Sequence, residues 1–274
     1  MLQANLGWRG FRLLALLFGL LSLSGLLLGC ASPPGADDAS AGLLTVSDDS
    51  EARKRAQARL ALAAGYYENG QYTIALDEQK KAVQADPGFA DAHDLGGLIY
   101  MALGDGQLAQ QQFQRAIALN PRAANAWHNL GWLQCEQGQH ERATESFERA
   151  LAVPSYPERA RTLMAQGICH ARAGDAARAE ATLMRSYELD PGHPVTGYNL
   201  AQLLYRRGDV GRAQFYIRRL NNSELANAES LWLGIRVERR LNNRQAMEQL
   251  AAQLRRRFPQ SRELLAYERG AFDE

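Results

Sequence analysis

The sequence predicts an all-α solenoid of about six stacked helix–turn–helix units, on three observations. Glycines recur at Gly70, Gly104, Gly138, Gly174 and Gly208, a period of about 34 residues that lengthens only between the third and the fourth. Five positions after each comes an alanine (Ala75, Ala109, Ala143, Ala179, Ala213), and Ala246 extends that series at nearly the same interval. Self-similarity at this period marks a repeat architecture, in which one unit cannot bury its apolar face alone and stacked neighbours do so together. Composition agrees: Ala, Leu, Gln, Arg and Glu dominate and Val and Thr are few, which favours helix.

The units fall at about 56–89, 90–123, 124–159, 160–193, 194–226 and 227–260. Each opens with a helix carrying apolar residues at helical spacing. A turn such as Asn69-Gly70 or Gly104-Asp105 follows, and glycine there supplies a backbone conformation costly for other residues. A second helix then runs through small and aromatic positions to a breaking proline, as at Pro87, Pro121 and Pro191. The second unit has the cleanest pattern, with His93, Gly97, Tyr100, Ala109, Phe113, Ala116 and Pro121. The third supplies Trp127, Leu130, Gly131, Ala143, Phe147 and Ala150. Its junction with the fourth is longer than the others by an irregular link around Pro154-Ser155-Tyr156-Pro157. The sixth is degenerate, with Leu241 where glycine is expected, and Leu264 and Leu265 are placed to cover its open end. The pattern resembles the tetratricopeptide repeat, a resemblance that implies a right-handed superhelical solenoid.

Ahead of the repeats stands a different kind of segment. Arg9 and Arg12 precede the uncharged, Leu-rich stretch from Leu13 to Leu28, which ends in Leu27-Leu28-Gly29-Cys30. A positive flank before a short apolar core reads as a secretory signal; an uncleaved membrane anchor is the alternative. The tetrapeptide resembles the bacterial lipobox, which implies cleavage before Cys30 and acylation of its thiol. The expected organisation is therefore a signal peptide over 1–29, a flexible tether over 30–50 rich in Ser, Pro, Gly and Asp, and a solenoid over 51–274. Ala31 follows the cysteine where Asp would imply retention in the inner membrane, so the expected address is the periplasmic face of the outer membrane.

A formal net charge of +1 gives no argument for nucleic acid. The five histidines are scattered without metal-ligand spacing, and nucleophile-elbow and phosphate-loop motifs are missing. No catalytic residue, metal or cofactor is expected. The expected activity is binding, through the face lined by the first helix of each unit. Positions two, five, nine and twelve of the units place there Leu60, Tyr67, Asp94, Leu98, Met101, His128, Trp132, Arg161, Met164, Ile168, Tyr198 and Tyr205. Large apolar side chains mixed with a few polar ones suit an extended or helical peptide from a protein partner. A monomer is expected. Cys135 and Cys169 fall in neighbouring first helices, one repeat length apart, and an oxidising periplasm permits a disulfide between them. Two buried free thiols are the alternative.

The chain also resembles a specific family, the PilF/PilW type IV pilus biogenesis lipoproteins. The resemblance rests on Asn129-Leu130-Gly131-Trp132-Leu133-Gln134-Cys135-Glu136-Gln137-Gly138, the Pro154–Pro157 link and Gly167-Ile168-Cys169. Ser230-Leu231-Trp232-Leu233-Gly234-Ile235 and Phe258-Pro259-Gln260-Ser261 with Glu263 add to it. It implies a pilotin: a lipid-anchored adaptor that binds the PilQ-like secretin subunit and promotes its outer-membrane localisation and multimerisation, supporting pilus assembly and twitching motility. A general periplasmic scaffold lipoprotein for cell-wall or outer-membrane assembly shares the anchor and the fold.

Overall fold

The computed structural model describes residues 49–272; the leader, Cys30 and nearly all of the expected tether lie outside them. The described residues form thirteen helices and no strand. They pair as α1 (Glu51–Glu68) with α2 (Tyr72–Ala85), α3 (Ala90–Ala102) with α4 (Gly106–Leu119), and α5 (Ala124–Glu136) with α6 (His140–Leu151). The series goes on through α7 (Arg159–Arg172) with α8 (Ala176–Leu189), α9 (Pro194–Arg206) with α10 (Val210–Asn221), and α11 (Ala228–Arg240) with α12 (Arg244–Arg257). A short α13 (Arg262–Glu268) packs on the last pair. The first helices also touch one another in sequence, α1 to α3 and on to α11, so they share one face of the stack. Among the described residues no helix is long and apolar enough to cross a membrane.

The repeat period has a local cause. At the end of α1, Gln71 N–H bonds the Tyr66 carbonyl and Gly70 N–H bonds that of Tyr67, the paired bonds of a Schellman cap. That cap needs a left-handed residue, and the five turn glycines hold φ between +71° and +83°. In four turns the next residue is Asp or Asn, and its carboxylate or amide oxygen accepts the backbone N–H three positions on. Examples are Asp105 from Leu108 and Asp175 from Arg178. One residue thus closes the first helix and the next one starts the second.

Where paired helices cross, one gives up its side chain to a partner's bulk. A Cβ on Gly97 would overlap the fully buried Phe113 ring, and one on Gly131 would come within 2.9 Å of Phe147. The fourth unit repeats the device with Leu183 over Gly167. The Pro154–Pro157 link is also packed: Tyr156 is buried and its hydroxyl lies 3.0 Å from Thr162 Oγ1, which lies 2.8 Å from His128 Nδ1.

The sixth unit corrects the sequence reading. Leu241 does not occupy the turn position; Asn242 does, one repeat length after Gly208, with φ +56° and the same two cap bonds, to Glu238 and Arg239. The unit keeps the repeat geometry with Asn in place of Gly, since Asn tolerates this conformation. The small-residue position then falls on Met247, which packs against the cluster around Leu231 and Ala251, and not on Ala246. At the end of the stack Leu264 is buried while Leu265 is exposed; Trp232, Tyr267 and Phe272 join Leu264 in covering the last unit.

Candidate functional site

Side chains from five successive first helices, α1 to α9, enclose a depression of about 510 Å³ on their shared face. Of the residues the sequence placed there, Tyr67, Leu98, Met101, His128, Trp132, Arg161, Met164 and Ile168 line it. Tyr198 lines a second depression of about 470 Å³, further along, with Gln202, Trp232, Arg236 and Arg262. Three placements need correction: Leu60, Tyr205 and Asp94 line neither depression. Leu60 packs into the core around Ala56, Phe89 and Ala92 and lines neither depression. Tyr205 is buried beside Leu204 and Val237, its ring covered by the Arg240 and Arg236 guanidiniums at 4.1 and 5.1 Å. Position twelve of a unit faces the groove at Tyr67 and Met101 but turns into the neighbouring helix at Cys135 and Tyr205.

Asn129, Glu136 and Val195 also line the first depression and were not anticipated. Asn129 had a signal of a kind: it lies one residue beyond His128, and a helix stripe is wider than one position per turn. Its amide donates to the Asp94 carboxylate at 2.9 Å, so Asp94 sits behind the groove wall. Burial pushes the Asp94 carboxyl up to about 6, against the Asn129 hydrogen bond and the nearby Arg161 charge. Burial and then Arg161 push His128 down to about 3, so its imidazole is neutral. Burial raises the Tyr67 hydroxyl, with a further rise from neighbouring Tyr72. The floor is apolar, from Leu98, Met101, Trp132, Met164 and Ile168, and the Arg172 guanidinium lies 4.9 Å from the centre of the Trp132 ring.

Cys135 and Cys169 are joined in a disulfide between α5 and α7, with Cα atoms 5.8 Å apart, inside the range such bridges require. The bridge is buried with Ala143, Phe147 and Ala165, and Trp132 packs on it, so it lies directly behind the groove wall. His140 Nδ1 is 3.5 Å from Cys169 Sγ. The three residues form the one cluster of metal-ligating types among the described residues, but its two sulfurs are bonded to each other.

Paired helices on one recurring period, with their first members lining an apolar groove, define a tetratricopeptide repeat protein. Models of the tetratricopeptide repeat match residues 90–154 and 129–194. The solved structure of Pseudomonas aeruginosa PilF superposes with a TM-score of 0.72 at 27% identity, over 81% of this chain and 100% of that one. The crystal structure of PilW, a widely conserved type IV pilus biogenesis factor, superposes with a TM-score of 0.71 at 30% identity, over 77% of this chain and 97% of that one. In sequence, the type IV pilus assembly protein PilF of Pseudomonas aeruginosa is 28% identical over 206 residues, 75% of this chain and 82% of the relative. The chain belongs to the PilF/PilW family of type IV pilus biogenesis proteins.

Proposed function

We propose that the protein is a non-catalytic pilotin, which uses the groove of its first helices to hold a PilQ-like secretin subunit while that subunit assembles in the outer membrane. The observation that carries the reading is the likeness to PilF and PilW along the whole solenoid, with an apolar groove running across five of its first helices. An apolar groove floored by Trp132, Leu98 and Met101 suits a client's apolar anchor, which is where binding energy concentrates. In this reading Cys30 carries the lipid, and residues 31–50 form a leash of about 65 Å when extended. The leash holds the adaptor on the periplasmic face of the outer membrane and raises the local concentration of its client.

The test is a deletion strain in which the secretin is followed by membrane fraction and by multimer state on a gel. Multimers should fall, and the wild-type gene should restore them. Trp132→Ala with Leu98→Ala should restore them poorly, and Cys30→Ser should shift the adaptor out of the membrane fraction. Unchanged secretin multimers in the deletion strain would rule the reading out and favour a general envelope scaffold.

A further inference from the structure

We infer that the groove selects a client segment bearing an acidic side chain next to a bulky apolar anchor, and that Arg161 reads the carboxylate. The inference rests on the groove being the client-binding face.

Arginines line the two depressions at Arg161, Arg236 and Arg262. Arg262 is held by Glu263 at 3.2 Å and by Glu229 at 3.6 Å. Arg236 lies over the Tyr205 ring. Arg161 is exposed, and among the described residues it makes no hydrogen bond, ion pair or ring contact. An acid within its field, Asp94, is half-buried and accepts instead from Asn129. A guanidinium left open beside an apolar floor is a ready partner for a carboxylate, which it can hold through two parallel N–H bonds.

The groove also has a direction. Arg161 and Glu136 are the two residues with a formal charge along the first depression. The disulfide sets Cys135 beside Cys169, so Glu136 lies about nine residues, or roughly 14 Å, along the helix axis from Arg161. Met164 and Ile168 lie roughly 5 and 10 Å along the same path, with Trp132 facing them. A client acid therefore belongs at the Arg161 end, its apolar anchor one to two helical turns further on, and an acid at the far end meets Glu136. Past Arg161 the wall continues over the exposed Val195 on α9 towards the depression at Tyr198. The bound segment has room to run on, so the carboxylate is that of an internal Asp or Glu and not a chain terminus.

The test is selection of random twelve-residue peptides displayed on phage against the full chain in detergent micelles, with one library blocked and one free at the peptide C-terminus. The expected result is enrichment of Asp or Glu at a fixed spacing from Leu, Ile, Phe or Trp in the blocked library. Arg161→Glu, a surface change, should reverse the charge preference to Lys or Arg and weaken the selected acidic peptides about three- to tenfold. Trp132→Ala should weaken all selected peptides. Apolar enrichment without an acid, an acid preference that survives Arg161→Glu, or a need for a free C-terminus would each overturn the inference and leave the groove reading standing. Failure to enrich any sequence would remove the groove reading and the inference with it.

Discussion

Asp94, behind the groove wall, and His128, in it, respond to pH in opposite senses. Asp94 keeps its proton up to about 6 in the folded chain, above the value of about 3.9 it has when unfolded. The folded state therefore binds the extra proton between those values, and stability falls as pH rises from about 4 to about 6. Above that range the buried charge is a standing cost, so Asp94→Asn should stabilise the protein by about 1–3 kcal/mol at pH 7.5 and by nearly nothing at pH 4. Urea unfolding at the two pH values measures this, and an equal gain at both would contradict it. His128 acts the other way: held neutral down to about 3, it supports the fold above about 6.5 and loses that contribution as pH falls. Neither shift was legible in the sequence, because each depends on packing against the next repeat, where His128 meets Thr162 and Asp94 meets Asn129. The groove residues themselves were more legible. Position nine lies mid-helix and is half-buried alike at Leu98, Trp132 and Ile168, whereas position twelve depends on what the next helix offers.

Each helix pair depends on a turn and on a close crossing, and both can be tested. Gly97→Ala should lower stability by about 1–3 kcal/mol, because the added methyl meets a Phe113 ring with no space to move into. Thermal melting of that variant beside Gly65→Ala separates packing from helix propensity, since nothing lies within 4 Å of a Cβ at Gly65. In the sixth turn, Asn242→Gly should leave stability unchanged or slightly raised, while Asn242→Val should lower it by about 1–2 kcal/mol. The glycine series announced five turns because the Schellman geometry selects glycine. It was silent on the sixth, because Asn242 meets the same requirement without a glycine to mark it. The end cover was half legible. An apolar pair at 264 and 265 signals a cap, but helix geometry sends the two side chains in different directions and only Leu264 turns inward.

At the scale of the whole molecule, a repeat stack is close to one-dimensional: its stability is the sum of units and of the junctions between neighbours. The disulfide ties α5 to α7 across the junction with the irregular link, where Tyr156, Thr162 and His128 already form a buried polar chain. Closing a loop of this length is worth about 3–4 kcal/mol in the chain-entropy view, so Cys135→Ala with Cys169→Ala should destabilise by that order. Hydrogen exchange should show the added opening concentrated in α5 to α7, with α1 and α12 little changed. The stack was readable from periodicity because identical contacts recur. The pairing of the cysteines was readable only as a permission, since register between neighbouring helices is a tertiary fact.

Were the chain tethered at Cys30 and bound to a client, as proposed above, it would be a link in a mechanical chain. If the stack were drawn out by its ends, the residues between Cys135 and Cys169 would stay out of the load path. About 120 Å of contour length would be withheld until the sulfurs were reduced, so the central units would act as a knot that limits how far the molecule can be stretched.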